Sequence, residues 1–235
     1  MPPMLNELFY RPLFNTLIFL YQTISFHDLG IAIIMLTLLI RVLLYPLSQK
    51  SIMSQKEMMA IQPEVKKLQE KHKNEKEEQM KKVMALYKEK KVNPFSGCLP
   101  LLIQLPIILA LYRVFLAGFN EQSLLQLYSF LPNPGSINHL FLGFVDISKQ
   151  NIMLALTAGA LQFWQSKMIL DEQKKHNTPA DFQTNTSLAM SKQMTYVMPV
   201  LTVFIAYSVH AGIALYWVTT TAFSIVQQRI AFRKK

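Results

Sequence analysis

From residue 196 to residue 230 the chain is apolar for almost twice the length that a helix needs to cross a bilayer. The run is interrupted once, at Ser208-Val209-His210-Ala211-Gly212, which predicts two spans joined by a tight turn, residues 194–208 and 212–230. Comparable runs upstream cover residues 29–47, 98–119 and 152–166, broken only by Arg41 in the first and by Arg113 near the far end of the second. Five transmembrane helices follow. Several are short: about 16 residues at 1.5 Å each cover only about 24 Å of a roughly 30 Å hydrocarbon core, which implies a locally thinned bilayer. Charged residues make up 16% of the chain, against roughly 25% in soluble domains, and this disfavours a water-soluble globule.

The positive charges give the orientation. Twelve lysines lie in residues 48–93 and four in residues 167–193, and Arg229, Arg233, Lys234 and Lys235 close the chain. The opposite side carries only Arg11 and Lys149, against Glu7, Asp28, Glu121 and Asp146. The positive-inside rule therefore puts the N-terminus outside and the C-terminus in the cytoplasm, as an odd number of spans requires. Residues 1–28 become an external segment, 120–151 an external loop, 167–193 a cytoplasmic loop and 231–235 a basic cytoplasmic tail. Within the first segment Asn15, Gln22 and Thr23 recur at helical spacing among Leu13, Leu17, Leu20 and Ile24, the pattern of an interfacial amphipathic helix. Residues 1–7 contain no Lys or Arg, unlike the basic leader of a signal peptide.

Residues 48–93 predict a cytoplasmic helical hairpin. Pro63 opens one helix, with Val65 and Leu68 on a face, and Met80, Val83, Met84 and Tyr87 mark the second after a polar turn over residues 71–78. Its lysines suit contact with anionic headgroups or ribosomal RNA, although no stable nucleic-acid binding is expected.

Arg41 needs a physical reason, because a charge within a span costs about 2.5 to 3.5 kcal/mol on insertion scales unless it meets water or protein. Thr37, Arg41, Tyr45 and Ser48 fall on one helical face. Gln104, Gln162, Thr219, Thr220, Thr221 and Ser224 lie at similar depth in the cytoplasmic halves of other spans. Packed inward, these groups would enclose a hydrated cavity open to the cytoplasm and closed partway through the bilayer.

An enzyme fits poorly. His210 beside Ser208 lacks a nucleophile elbow and an intramembrane carboxylate, and Cys98, the single cysteine, excludes an intrachain disulfide and a thiolate zinc cluster. The five histidines show no metal-ligand spacing, so neither metal nor cofactor is expected. A small-solute transporter or channel using the same cavity is the alternative, though no span offers the Asp, Glu or His that proton coupling usually needs.

The run Val92-Asn93-Pro94-Phe95-Ser96-Gly97-Cys98-Leu99-Pro100-Leu101-Leu102-Ile103-Gln104-Leu105-Pro106-Ile107 closely resembles the signature of the YidC-type membrane protein insertases, kin to the mitochondrial Oxa and chloroplast Albino proteins. The likeness extends to Ile40-Arg41-Val42, Tyr45-Pro46-Leu47, Ile61-Gln62-Pro63, Leu86-Tyr87-Lys88, Leu215-Tyr216-Trp217 and Gln227-Gln228. It implies a non-catalytic insertase and chaperone of the bacterial plasma membrane, in the form without a large external domain. Its hydrophilic groove would receive the short polar tail of a client membrane protein while the client's apolar helix passes into the lipid bilayer. Arg41 matches the groove arginine, Gln162 and Trp217 match groove positions, and Gln104, which belongs to the signature run, would line the groove. The Sec translocon and the ribosome are open as partners. The last span departs from the family in reading Thr219-Thr220-Thr221 where members often carry an Asn-containing segment.

Overall fold

The computed structural model describes residues 4, 6–93, 99–117, 121–176 and 186–233, and it is almost entirely helical. A single π-helical turn, Asn6–Tyr10, leads into α1 (Arg11–Thr23), whose first turn carries Pro12, where the missing N–H has no helical partner to lose. The apolar face of α1, Phe14, Leu17, Ile18, Leu20 and Tyr21, is buried in the main core beside Leu29, Ile33 and Leu36 of α2 (Leu29–Leu43). Protein thus takes up the face that an interfacial helix would give to lipid.

The polar residues of α1 are spent on the chain as well. Asn15 is 2% exposed; its Nδ2 donates to the Gln126 carbonyl at 3.1 Å and its Oδ1 accepts the Tyr128 N–H at 2.7 Å. Gln22 Nε2 donates to the Pro132 carbonyl at 2.9 Å, and the Tyr21 hydroxyl accepts the Asn138 N–H at 2.9 Å. These bonds seat the loop between α5 (Leu99–Ala117) and the later helices on α1. Asn15→Ala leaves the Tyr128 N–H without its acceptor, a cost of about 2 kcal/mol. Thermal unfolding in detergent is expected to show this as a loss of about 4 to 8 °C. Thr23→Ala, which removes one exposed back-bond to the Phe19 carbonyl, is the control expected to shift little.

The expected first span does not run straight through residues 29–47. α2 ends at Leu43 and α3 (Tyr45–Lys71) starts at a bend of 64°. Pro46 is the cause: it has no N–H for the Val42 carbonyl and sits in the first turn of α3, while the Leu44 N–H closes α2 by donating to the Ile40 carbonyl at 2.9 Å. Pro63 does not open a helix either. It lies inside the 27-residue α3, which crosses it because the hairpin core on both sides, Ile61 and Val65 against Leu86 and Val92, holds the helix together. After a turn at His72–Glu75, α4 (Lys76–Glu89) returns along α3, and Lys90 Nζ meets Glu64 Oε1 at 3.0 Å.

The segment between α5 and the later helices contains a short helix, α6 (Glu121–Leu124), and a two-stranded hairpin of β1 (Leu140–Phe141) and β2 (Val145–Asp146), paired antiparallel as Leu140↔Asp146 and Phe141↔Val145. The Phe141 ring lies where a Cβ on Gly30 would be, so this contact requires glycine. Ser148 and Lys149 hold the Asp146 carboxyl down to about 2 through side-chain hydrogen bonds.

The remaining helices are α7 (Ile152–His176), α8 (Thr186–Ser208) and α9 (Ala211–Arg233). α7 continues ten residues beyond the apolar run ending at residue 166, and α8 begins eight residues before residue 194, so both extend past the apolar stretches. Ala155 and Ala158 of α7, Ala206 of α8 and Ala214 of α9 are fully buried together, and these small side chains let the helix backbones approach closely. The start of α9 is anchored to the segment after β2: the Ala211 and Gly212 N–H groups donate to the Lys149 and Ile147 carbonyls at 2.7 and 3.0 Å. Among the described residues, no single helix is long and apolar enough to cross a membrane by itself; α2 and α3 meet that measure only as a bent pair.

Candidate functional site

Arg41, in the last turn of α2, is only half-buried, and its guanidinium is shared between two other helices. Its Nε donates to Thr220 Oγ1 of α9 at 2.7 Å, and its Nη2 donates to Gln104 Oε1 of α5 at 3.2 Å. Gln104 then uses its Nε2 to donate to the Tyr216 hydroxyl, one turn before Thr220 on α9. Four side chains from three helices thus form one polar cluster inside an otherwise apolar contact. Among the described residues no carboxylate pairs with Arg41, so its charge is balanced by neutral oxygens alone. A guanidinium has five N–H donors, of which two are used here. An arriving carboxylate would find both an unmatched charge and donors to receive it.

The other residues singled out in the sequence lie elsewhere. Thr37 is buried one turn before Arg41, but its hydroxyl is spent on the Ile33 carbonyl at 2.6 Å. Tyr45 lies beyond the bend with its ring exposed, and its carbonyl accepts from Gln227 Nε2 at 3.4 Å, a bond that ties α3 to α9. Gln162 donates to Ser166 on its own helix at 3.4 Å. Trp217 packs against the alanine cluster of α7, α8 and α9. Tyr87 packs against the hairpin core, where burial pushes its hydroxyl above the ordinary value. Residues 94–98 of the signature run lie outside the described residues, as do the side chains of 99–103.

Tyr216 is the member of the cluster that sequence reasoning missed. Within an apolar run a tyrosine reads as packing or as an interfacial anchor; the signals were its spacing of four from Thr220 and its place in the family-like segment Leu215-Tyr216-Trp217. At the hairpin turn, His72, Glu75 and Glu78 bring ligand atoms within 4.8 Å of one another. The start of α4 explains them: acidic groups there complement the helix dipole, and His72 Nδ1 lies 3.9 Å from Glu75.

Apolar helices that meet around a cationic side chain and its neutral partners are the construction of an α-helical membrane protein, in which a charge away from water must face protein. Similarity to other proteins then fixes the family. The chain belongs to the 60Kd inner membrane protein family, the YidC/Oxa group, whose model matches residues 19–235. It is accordingly a multi-pass protein of the bacterial inner membrane.

A protein of Fusobacterium nucleatum named membrane protein insertase YidC is 33% identical over 207 residues, covering 88% of this chain and 87% of that protein. One of the same name from Clostridium tetani is 37% identical over 195 residues, 82% of this chain and 76% of the relative. A third, from Beijerinckia indica, is 30% identical over 232 residues; these are 95% of this chain but only 37% of that longer protein.

Proposed function

We propose that this chain is a membrane protein insertase, with its N-terminus outside, its C-terminus in the cytoplasm and five short spans enclosing a groove around Arg41. The observation that carries this reading is the guanidinium held by Thr220 and Gln104 with no carboxylate partner among the described residues, in a chain whose relatives bear the insertase name. Translocating a short acidic tail is costly because charge must leave water, and at fixed separation Coulomb attraction grows as the dielectric falls. A wet groove reaching partway across shortens the low-dielectric path. The Arg41 charge offsets part of the desolvation of a client carboxylate, and burial of the client's apolar helix in lipid drives completion. No covalent bond changes, so no nucleophile or cofactor is needed. The partners on this reading are client membrane proteins with short translocated tails, and the lipid itself.

The test is insertion of a single-span client with an acidic N-terminal tail into liposomes holding only the purified chain, scored by protection of that tail from external protease. Protection several-fold above empty liposomes is the expected result. Protection no higher than in empty liposomes would sink autonomous insertion, and saturable solute flux in the same vesicles would then favour a transporter.

A further inference from the structure

Two loops at the start of α2 hold large apolar side chains in the open. Phe26 is 92% exposed, and both it and His27 have positive φ, 55° and 60°. Across from them the β1–β2 turn reads Leu142-Gly143-Phe144, with Leu142 at φ 52° and Phe144 74% exposed. Asp28 ties the two loops together: its Oδ1 caps α2 by accepting the Ile31 N–H at 3.0 Å, and its Oδ2 accepts the Leu142 N–H at 2.7 Å. The seat of Phe141 against Gly30 makes the join rigid.

This is an unusual way to build loops that face water. Left-handed backbone favours Gly, Asn and Asp, and tight turns ordinarily use those residues, whereas here Phe26 and Leu142 occupy it. The backbone is held out of its preferred region, and what it displays is apolar.

We propose that Phe26, Leu142 and Phe144 form a preformed wedge that seats in the outer leaflet, at the boundary of headgroups and acyl chains. The proposal rests on the topology given above, in which the start of α2 lies on the external side. Lipid is the occupant rather than a protein because Asp28 caps that span, which sets these loops level with the bilayer surface. Phe19 and Ile24, exposed on the last turn of α1 and just after it, continue the apolar surface. Asp28 and Asp146, the acids of the two loops, are already matched by N–H groups and by Lys149. Aromatic side chains favour this depth. Seated so, the wedge fixes the level of α2 in the membrane and hence the depth of Arg41, thirteen residues or about 20 Å further along.

The experiment uses a Cys98→Ser background with single cysteines placed by Phe26→Cys, Phe144→Cys, Val200→Cys or Lys82→Cys, each labelled with an environment-sensitive nitrobenzoxadiazole dye. The full chain is reconstituted in phosphatidylcholine–phosphatidylglycerol vesicles. Quenching is compared between lipids with a nitroxide near the headgroup, lipids with one deep in the chain, and iodide on both sides. Dyes at 26 and 144 are expected to be quenched several-fold more by the shallow nitroxide than by iodide. The exposed α8 position 200 is expected to respond to the deep nitroxide, and the hairpin position 82 to iodide. Iodide quenching at 26 and 144 as strong as at 82, with 200 still quenched by lipid, overturns the wedge and leaves the topology standing. Iodide quenching at 200 as well overturns the topology beneath it.

Discussion

Replacing Arg41 with alanine is expected to reduce protection of an acidic client tail by about tenfold, equivalent to roughly 1.4 kcal/mol, while a client with an uncharged tail loses much less. The difference between the two clients is the informative quantity, because a general folding defect would reduce both alike. Arg41→Lys separates charge from geometry. An ammonium keeps the positive charge, but it cannot reproduce the planar fork through which Nε and Nη2 hold Thr220 and Gln104 together. If charge is what a client reads, the lysine variant retains most of the activity. Equal loss in both variants would show instead that the arrangement of Gln104, Tyr216 and Thr220 around the guanidinium is required. Equal loss for acidic and uncharged clients in Arg41→Ala would refute a role for charge altogether.

The second large effect is expected where α7 and α8 meet. A Cβ on Gly159 would lie 2.3 Å from Val203 Cγ2 and 3.1 Å from the Pro199 carbonyl, closer than packed atoms tolerate. Gly159→Ala is therefore expected to destabilise by about 1 to 3 kcal/mol, as overpacking of a filled interface does. Thermal unfolding in detergent measures it. Val203→Ala, added to Gly159→Ala, removes the nearer obstacle and is expected to recover most of the loss, the non-additivity of two residues in contact. Failure of that rescue would place the clash at the Pro199 carbonyl, which cannot move without shifting α8.

Much of the site could be read from composition and depth. Arg41, Gln104 and Thr220 stood out because each is polar within an apolar run and all three were expected at a similar depth, and the structure brings them within hydrogen-bond reach. Tyr216 escaped because its ring is apolar and only its hydroxyl takes part. Gln162 and Trp217 share that depth, but Gln162 bonds Ser166 on its own helix and Trp217 packs against the alanine cluster, a matter of helix rotation that depth does not encode. The helical character of the chain was likewise plain in its periodicity. The role of Asn15 and Gln22 was not: both read as a water-facing stripe, while their partners, Gln126, Tyr128 and Pro132, lie more than a hundred residues away. Local pattern marks a residue as polar without saying which backbone group it will serve.

The bend at Leu44 was hidden for a different reason. Hydropathy continues unbroken from Leu43 to Leu47, and only the missing N–H of Pro46 signals that the helix turns there. That bend has a mechanical meaning. The arm beyond it, α3, has 27 residues and is about 40 Å long, so a rotation of about 5° at Leu44 carries its far end through roughly 3.5 Å. Tilting at the elbow would shift the hairpin relative to the proposed groove without breaking a hydrogen bond within α2. On the proposed topology Leu44 would be a fulcrum between α2, set in the bilayer, and the hairpin end of α3, with the Gln227–Tyr45 bond holding the near end of α3 to α9.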